Sequence, residues 1–395
     1  MLERTLYGEE HQLFRDTARR FIEAEIAPFH AQWEHDGQVP RELWRKAGAA
    51  GLLGCSIPEE YGGAGADALF NFALVEELAV SGFTGPAFAV HNEMVMPYIL
   101  AFGTEAQKRQ WLPPMVRGEV IGALGLTEPQ AGSDLKGMRT RAVRDGDPGS
   151  GSGAGSFVIN GQKTFISNGQ LCDVVVLACK TDPDAAGGGI SLFIVEADRP
   201  GFIRGRKLEK LGLKAQDTSE LFFDNLRVPA SSLLGPEHGG FKLLMKNLAQ
   251  ERLTQAVRSA AVCETVLQYT IDYVRDRKMF GQTLADFQAT QFKLAEIKTE
   301  VTVGRVFTDH AIRQFMDGKF DGTDAAMAKL WLSELHGRVV DQCLQLFGGW
   351  GYMWEYPIAR AYADARITRI AGGSIEVMKQ IIGRSLFAPP RKEDK

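Results

Sequence analysis

A carboxylate on a helix, a hydroxyl-rich turn and an arginine at a helix end are the residues of this chain whose types and spacing suit chemistry. In the segment NLAQERL, Glu251 is flanked by Leu248, Ala249 and Leu253. A carboxylate so placed can act as a general base, although most helical glutamates are only exposed charges. The run LGLTEPQAGSD brings Thr127, Gly132 and Ser133 into a tight turn at the end of a strand-like stretch. Its hydroxyls and backbone N–H groups can bond a heterocycle edge or phosphate oxygens, or can simply satisfy the turn itself. Arg277, in DRKMFGQ, can grip a pyrophosphate bidentately; taken alone it reads as a solvated cation at a helix end. The cysteines (Cys55, Cys172, Cys179, Cys263, Cys343) form no C-x-x-C pair, and the histidines (His11, His30, His35, His91, His238, His310, His336) show no H-x-x-x-H spacing. No zinc site, no disulfide framework and no other metal is therefore expected, and the histidines read as surface or packing residues.

Three kinds of segment must position these groups. From Glu9 to Glu25 the apolar Leu13, Phe14, Ala18, Phe21 and Ile22 recur at helical spacing until Pro28 ends the run. Further helices are predicted over 41–50, 68–79 and 104–116. After Val120 short β-rich runs appear (VIGALGLTE, FVINGQKTFIS, DVVVLACK, ISLFIVEA, SELFFDNLRVP), divided by turn dipeptides such as Asn160-Gly161. The alternation of Phe157 and Ile159, then Thr164 and Ile166, suits antiparallel strands with one buried face. From Gly239 onward three long helical patterns follow, over 241–277, 284–317 and 323–347, and then a shorter one that Ser374 can cap. The predicted fold class is α+β: an N-terminal α-helical domain (1–119), a central antiparallel β-domain (120–232) and a C-terminal four-helix bundle (233–395). The Gly-rich DGDPGSGSGAGS at 145–156 precedes a strand rather than a helix, so it is read as a flexible hairpin loop and not as a dinucleotide fingerprint.

Composition narrows the classes further. At 395 residues, 45% hydrophobic and 24% charged, the chain reads as a globular protein of several layers or domains. A net charge of -4 offers no basic surface for nucleic acid. No apolar run approaches the roughly 20 residues of a membrane span, and MLERTLYGEEHQLF has no continuous apolar core of a secretory signal. With scattered, reduced thiols, the expectation is a cytoplasmic protein.

Five segments together carry more than each does alone: LGLTEPQAGSD, GQKTFISNG (161–169), DRKMFGQ (276–282), QLFGGWGYMWEYPIARAYADARI (345–367) and IAGGSIEVMKQIIGR (370–384). In this order and spacing, the set resembles the acyl-CoA dehydrogenase family, and most closely its long-chain type. The resemblance implies α,β-dehydrogenation of acyl-CoA thioesters with FAD as cofactor, the FAD lying between the β-domain and the bundle and across a subunit contact. It also implies a homo-oligomer, a tetramer by family habit, that passes electrons to an electron-transfer flavoprotein. By position, Leu124, Leu126, Thr127, Gly132 and Ser133 match flavin and pyrophosphate contacts, with Ser133 also touching substrate. Phe165 stands where the family often has tryptophan, and Ser167 where threonine is common; with Ile166 they would line the flavin ring, Ser167 beside N5. Arg277, Phe280 and Gln288 resemble residues that reach the FAD of a neighbouring subunit. The run Gln345, Leu346, Phe347, Gly348 and Gly349 resembles the adenosine-side contact, and Ser374 and Glu376 complete the cofactor set.

The base is the most informative point of the resemblance. Many members carry a catalytic glutamate just before a Gly-Thr pair in the final motif, where this chain has Ala371-Gly372-Gly373-Ser374. A second group in the family supplies that glutamate from the first long bundle helix, and Glu251 matches its position. The resemblance then makes Ala249, Gln250, Arg252 and Gly373 neighbours of the substrate. The backbone N–H near Gly372, with a flavin ribityl hydroxyl, becomes the donor to the thioester oxygen. Two other readings remain: a family relative that reoxidises its flavin with O₂, as an oxidase or monooxygenase, and a non-catalytic flavin-binding or nucleic-acid-associated relative. Glu251 disfavours the monooxygenase, and the short mixed-charge tail APPRKEDK disfavours the last. Lys214 and Asp217, in GLKAQDTSELFF, receive no chemical step.

Overall fold

The computed structural model describes residues 4–145, 155–185 and 189–387. They form two compact units, Glu9–Asn247 and the part from Leu248 onward, which also takes in the segment before Glu9. The Gly-rich loop lies for the most part outside the described residues, as does the tail APPRKEDK. The strands flanking that loop pair antiparallel, with Asp145 opposite Ser156.

The helical part of the first unit runs α1 (Glu9–Phe21), α2 (His30–Asp36), α3 (Arg41–Ala49), α4 (Ala68–Ser81), α5 (Met96–Phe102) and α6 (Glu105–Val116). Single π-helical turns, Ile22–Ile26 and Val90–Val95, extend α1 and lead into α5. Local chemistry sets several starts: the Asp67 carboxylate accepts from Leu69 N ahead of α4, and Thr104 and Gln107 form a capping box on α6. Helix α4 is apolar nearly all round and is buried accordingly. Its two buried acids, Glu76 and Glu77, are met by Arg15 and Arg19 of α1 at 2.7 and 2.8 Å.

The strands are β1 (Gly122–Gly125), β2 (Arg141–Asp145), β3 (Ser156–Ser167), β4 (Val174–Lys180), β5 (Ile190–Glu196), β6 (Phe202–Lys207), β7 (Thr218–Pro229) and β8 (Leu233–Leu234). They form one sheet in the order β6-β7-β3-β2-β4-β5-β8, with β1 also on β4. Most pairings are antiparallel, as expected, but β4 takes both β1 and β2 in parallel. The unbroken apolar runs of β4 and β5 bury both faces rather than one. Val174, Val176, Ile190, Leu192 and Ile194 join a core with Tyr98, Ile99, Leu112 and Met115 from the helices. Val175, Leu177, Phe193 and Val195 join a second core with Phe157, Ile159 and Leu226. Each such aliphatic side chain contributes about 1.5–3 kcal/mol when fully buried.

Asn160-Gly161 is not a turn. Strand β3 runs through it with a shift in its register on β7 between Ile159 and Gly161. The dipeptide serves close packing: a Cβ on Gly161 would lie 2.6 Å from Thr140 Cα, and Asn160 Oδ1 accepts from Asn225 N at 2.8 Å.

The second unit is a helix bundle: α7 (Gly240–Asp276, which begins in the first unit), α8 (Gln288–Met316), α9 (Gly322–Phe347), α10 (Pro357–Ala365) and α11 (Ile375–Leu386). Helix α7, at 37 residues, is about 55 Å long. Helix α9 packs on α8, α10 and α11. A buried pair, Arg305 to Glu264 at 2.6 Å, ties α8 to α7, and Arg4 reaches Asp309 at 2.8 Å. A small hairpin, β9 (Lys278–Met279) and β10 (Gln282–Thr283), joins α7 to α8. Among the described residues no helix is long and apolar enough to cross a membrane.

Candidate active site

The predicted residues fall into three groups, one in the first unit and two in the second. In the first unit, Leu126 and Thr127 follow β1 directly, and Thr127 O accepts from Thr164 N of β3 at 2.9 Å. This turn is pinned from below by two residues that sequence reasoning missed. The Lys163 ammonium, fully buried, donates to Leu126 O at 3.0 Å and to Glu128 Oε1 at 2.8 Å. Glu128 in turn accepts from Arg139 N at 2.6 Å and Thr140 N at 3.0 Å. Gly132 and Ser133 stand exposed further along the turn, and Leu124 and Leu126 are half-buried against the helical core.

A second register shift in β3, between Lys163 and Ile166, gives Phe165 a φ of 59° and leaves its ring 66% exposed. A left-handed non-glycine residue costs about 1–3 kcal/mol, and such strain gathers at functional sites. Ile166 points into the sheet core, so only its backbone faces the site. Ser167 Oγ accepts from Gln216 Nε2 at 2.7 Å, which leaves the hydroxyl proton free to point elsewhere. Asp217, without a role in the sequence reading, is a buried anchor for the turn after β3, its carboxylate accepting from Gln170 N and Leu171 N at 3.0 Å each.

In the second unit, Arg277 ends α7, and Phe280 with Gly281 makes the tip of the β9–β10 hairpin. Phe280 is 89% exposed at φ 50°. Gln288 opens α8 and is exposed. Arg277 and the run Gln345, Leu346, Phe347, Gly348 and Gly349 line one cavity of about 700 Å³, together with Tyr273 and Trp350. A Cβ added at Gly348 or Gly349 would meet nothing within 4 Å, so these glycines leave room at the cavity wall for a ligand to approach the backbone. The aromatic floor is ordered by Tyr273 stacked on Phe347 at 4.1 Å. Phe280 and Gln288 do not line this cavity.

The third group, also in the second unit, surrounds Glu251. Glu251 on α7 is half-buried as a residue, and a Cβ built on Gly372 would lie 3.5 Å from its Oε1. The two positions that the resemblance names for a base are thus neighbours in space. Gly372 and Gly373 have φ of 67° and 94°, a backbone that favours glycine. Burial pushes the Glu251 carboxyl above its ordinary range, opposed by the charges of Arg252 and Lys329. Arg252 is buried, its Nε has no hydrogen-bond partner, and its Nη2 would lie 3.9 Å from a Cβ on Gly373. Lys329 of α9 is fully buried and donates to Gly373 O at 2.6 Å. Ser374 Oγ caps α11 by accepting from Val377 N at 3.4 Å, and Glu376 is exposed in its first turn. Ala249 and Gln250 precede Glu251 on α7, both half-buried. Removing a weakly acidic α-proton needs such a desolvated carboxylate, with backbone donors near the developing oxyanion.

In the first unit, an aromatic side chain held out by a strained bulge and a hydroxyl beside it are groups that can contact a heterocycle. In the second, an arginine beside a glycine-walled cavity can take phosphate oxygens. The acyl-CoA dehydrogenase N-terminal, middle and C-terminal domains match residues 8–119, 123–226 and 238–387. The mitochondrial long-chain specific acyl-CoA dehydrogenase of Rattus norvegicus is 49% identical over 98% of this chain and 88% of its own length. The crystal structure of an acyl-CoA dehydrogenase from Geobacillus kaustophilus superposes with a TM-score of 0.93 at 46% identity, covering 98% of this chain and 100% of that one. A solved structure described as an electron transferring flavoprotein of Acidaminococcus fermentans superposes with a TM-score of 0.90 at 35% identity, over 98% of this chain and 100% of that one. The chain belongs to the acyl-CoA dehydrogenase family. It is an FAD-dependent oxidoreductase that converts acyl-CoA to trans-2-enoyl-CoA.

One expectation is overturned. The cytoplasmic assignment fails against the rat relative, which is a mitochondrial enzyme. Reduced, scattered cysteines report the redox poise of a compartment and not its identity, so they carried no address.

Proposed function

We propose that Glu251 is the base that removes the α-proton of the acyl-CoA thioester. The observation that carries this reading is the 3.5 Å between Glu251 Oε1 and a Cβ on Gly372, where a carboxylate is missing. The backbone N–H near Gly372 holds the thioester oxygen as negative charge develops, and Ala249, Gln250, Arg252 and Gly373 shape the space around the reacting carbons. FAD, when bound, supplies the acceptor for the β-hydride. Thr127, Gly132 and Ser133 bond its polar edge and phosphates, with Leu124, Leu126 and Ile166 backing the ring. Phe165 covers the flavin face, and Ser167 offers a hydroxyl proton to N5. Arg277, Phe280, Gln288 and the Gln345–Gly349 run hold the dinucleotide of a neighbouring subunit, so the enzyme is a homo-oligomer, a tetramer in this reading. Ser374 and Glu376 complete the cofactor set. Boundaries at 119/120 and 232/233 divide the chain into its three domains.

Long-chain or branched acyl-CoAs are the proposed substrates, supported by the identity to the rat long-chain enzyme, and an electron-transfer flavoprotein is the proposed acceptor. A chain-length series of acyl-CoAs with an artificial acceptor tests the first. The base itself is tested by moving it: Glu251→Gln should abolish turnover, and adding Gly372→Glu should restore part of it. That second change places a side chain at φ 67°, a strain of about 1–2 kcal/mol, so the double variant should also melt lower. A double variant that binds FAD and acyl-CoA yet regains nothing would count against interchangeable positions.

A further inference from the structure

Lys329 is a fully buried cation that the reaction as described does not use. It sits on α9, and its ammonium donates to the Gly373 carbonyl at 2.6 Å. That carbonyl belongs to the two-glycine loop, φ 67° and 94°, in which a Cβ on Gly372 would lie 3.5 Å from Glu251 Oε1. The loop is bare backbone and carries no side chain that could fix it. A buried ammonium bonded to its carbonyl therefore supplies the fixing contact.

Two cations face Glu251: Arg252 beside it on α7 and Lys329 from α9. Glu376, in the first turn of α11, faces Lys329. Arg252 and Lys329 are cations against the carboxylates Glu251 and Glu376, so removing either cation leaves excess negative charge beside the base. Burial and Arg252 bring the Lys329 ammonium down to about 8, while Glu251 and Glu376 act to raise it.

We propose that Lys329 is a positioning residue for the dehydrogenation: it clamps the Gly372-Gly373 loop through the Gly373 carbonyl and holds a positive charge beside Glu251. The inference rests on Glu251 being the base. Loop position and base ionisation are thereby set by one side chain, which touches neither the reacting carbons nor the flavin in this role.

The test is the pH profile of turnover for the FAD-loaded, full-length protein carrying Lys329→Met, Lys329→Gln or Lys329→Arg, assayed with a saturating acyl-CoA and an artificial electron acceptor. In Lys329→Met and Lys329→Gln the acid limb should move up by roughly one pH unit, the effect of losing a nearby opposite charge. Lys329→Arg should leave the limb in place. KM should rise more in Lys329→Met than in Lys329→Gln, because the amide keeps a donor for the Gly373 carbonyl. FAD content, read from the flavin spectrum, should stay at the parent level in all variants that fold. An acid limb unmoved in both uncharged variants would overturn the inference. So would a loss of turnover that follows lost FAD with the profile unchanged. If Lys329→Met does not fold, the contrast between Gln and Arg decides. Glu251→Gln separates the two claims: if it retains turnover the base reading falls, whereas an inactive Glu251→Gln with unmoved Lys329 profiles refutes this inference alone.

Discussion

Replacing Lys163 by Met removes the cation from a buried pair while keeping the length of the side chain. Lys163 and Glu128 are both essentially inaccessible, and the ammonium has two acceptors, Glu128 Oε1 at 2.8 Å and Leu126 O at 3.0 Å. Breaking a buried pair by deleting one partner costs about 3–5 kcal/mol, since the remaining charge is left without its counter-ion. Glu128 keeps the N–H groups of Arg139 and Thr140 as donors, which places the expected cost at the lower end, about 3 kcal/mol. For a unit of this size that is a fall in melting temperature of roughly 6–12 °C. Removing the second charge as well, in Lys163→Met with Glu128→Gln, should be milder than the single change, because no buried charge remains. Burial would raise the Glu128 carboxyl, but Lys163 and the surrounding donors hold it below its ordinary range. The stability it confers is thus present above the ordinary carboxylate range and lost as pH falls through the depressed value; without Lys163 this pH-dependent loss should shrink. The same change frees Leu126 and Thr127 to move, so flavin content should fall with stability. Thermal melts of the three variants between pH 4 and 8, with flavin absorbance, decide the matter. A Lys163→Met protein that melts within about 2 °C of the parent and keeps its flavin would refute the reasoning, because such a shift is at most about 1 kcal/mol against the roughly 3 kcal/mol expected.

Two further outcomes follow from the geometry. Burial pushes the His91 imidazole down to about 4, where it is neutral, with Gly122 N donating to its Nδ1 at 3.1 Å and its Nε2 3.0 Å from Met115 O. Stability should therefore fall as pH drops from about 6.5 to 4, by up to about 3 kcal/mol from this group, and the slope of melting temperature against pH should flatten in His91→Gln. Arg277→Ala should lower FAD content and subunit association together, as read by flavin absorbance and sedimentation. Parent-like values of both would show that the arginine does not reach a shared cofactor.

Much of the architecture was legible because its signals are local. The 3.6-residue spacing of α1 and of the bundle helices, and the cap at Ser374, place those elements to within a few residues. The short α2, α5 and α10, and the strands β2, β6 and β8, were missed: β6 reads FIRGRK, too charged to stand out, and holds its place by pairing with β7. Asn160-Gly161 misled because a turn dipeptide and a bulge glycine look alike until the neighbouring strand is in place. Within the site, the residues named from motifs were found on the turn, the hairpin, the cavity and α7. Lys163, Glu128, Gln216 and Lys329 were not, although Lys163 and Glu128 lie inside those motifs. What makes them matter is a partner far along the chain, such as Gly373 for Lys329, 44 positions away. A faint signal did exist for Lys163: a cation between inward-facing Ile159 and Ile166 on a strand has to find a counter-charge.

The central claim is that Glu251 takes the α-proton, and rapid mixing of FAD-loaded Glu251→Gln with a long-chain acyl-CoA tests it most directly. Glutamine keeps the shape and polarity of the side chain but cannot accept the proton, so bleaching of the flavin absorbance should slow by at least the roughly 10²–10⁴-fold attached to general-base loss. Flavin content and acyl-CoA binding should match the parent, since neither needs that charge. Bleaching at close to the parent rate in this single variant would show that another group removes the proton, and would contradict the account.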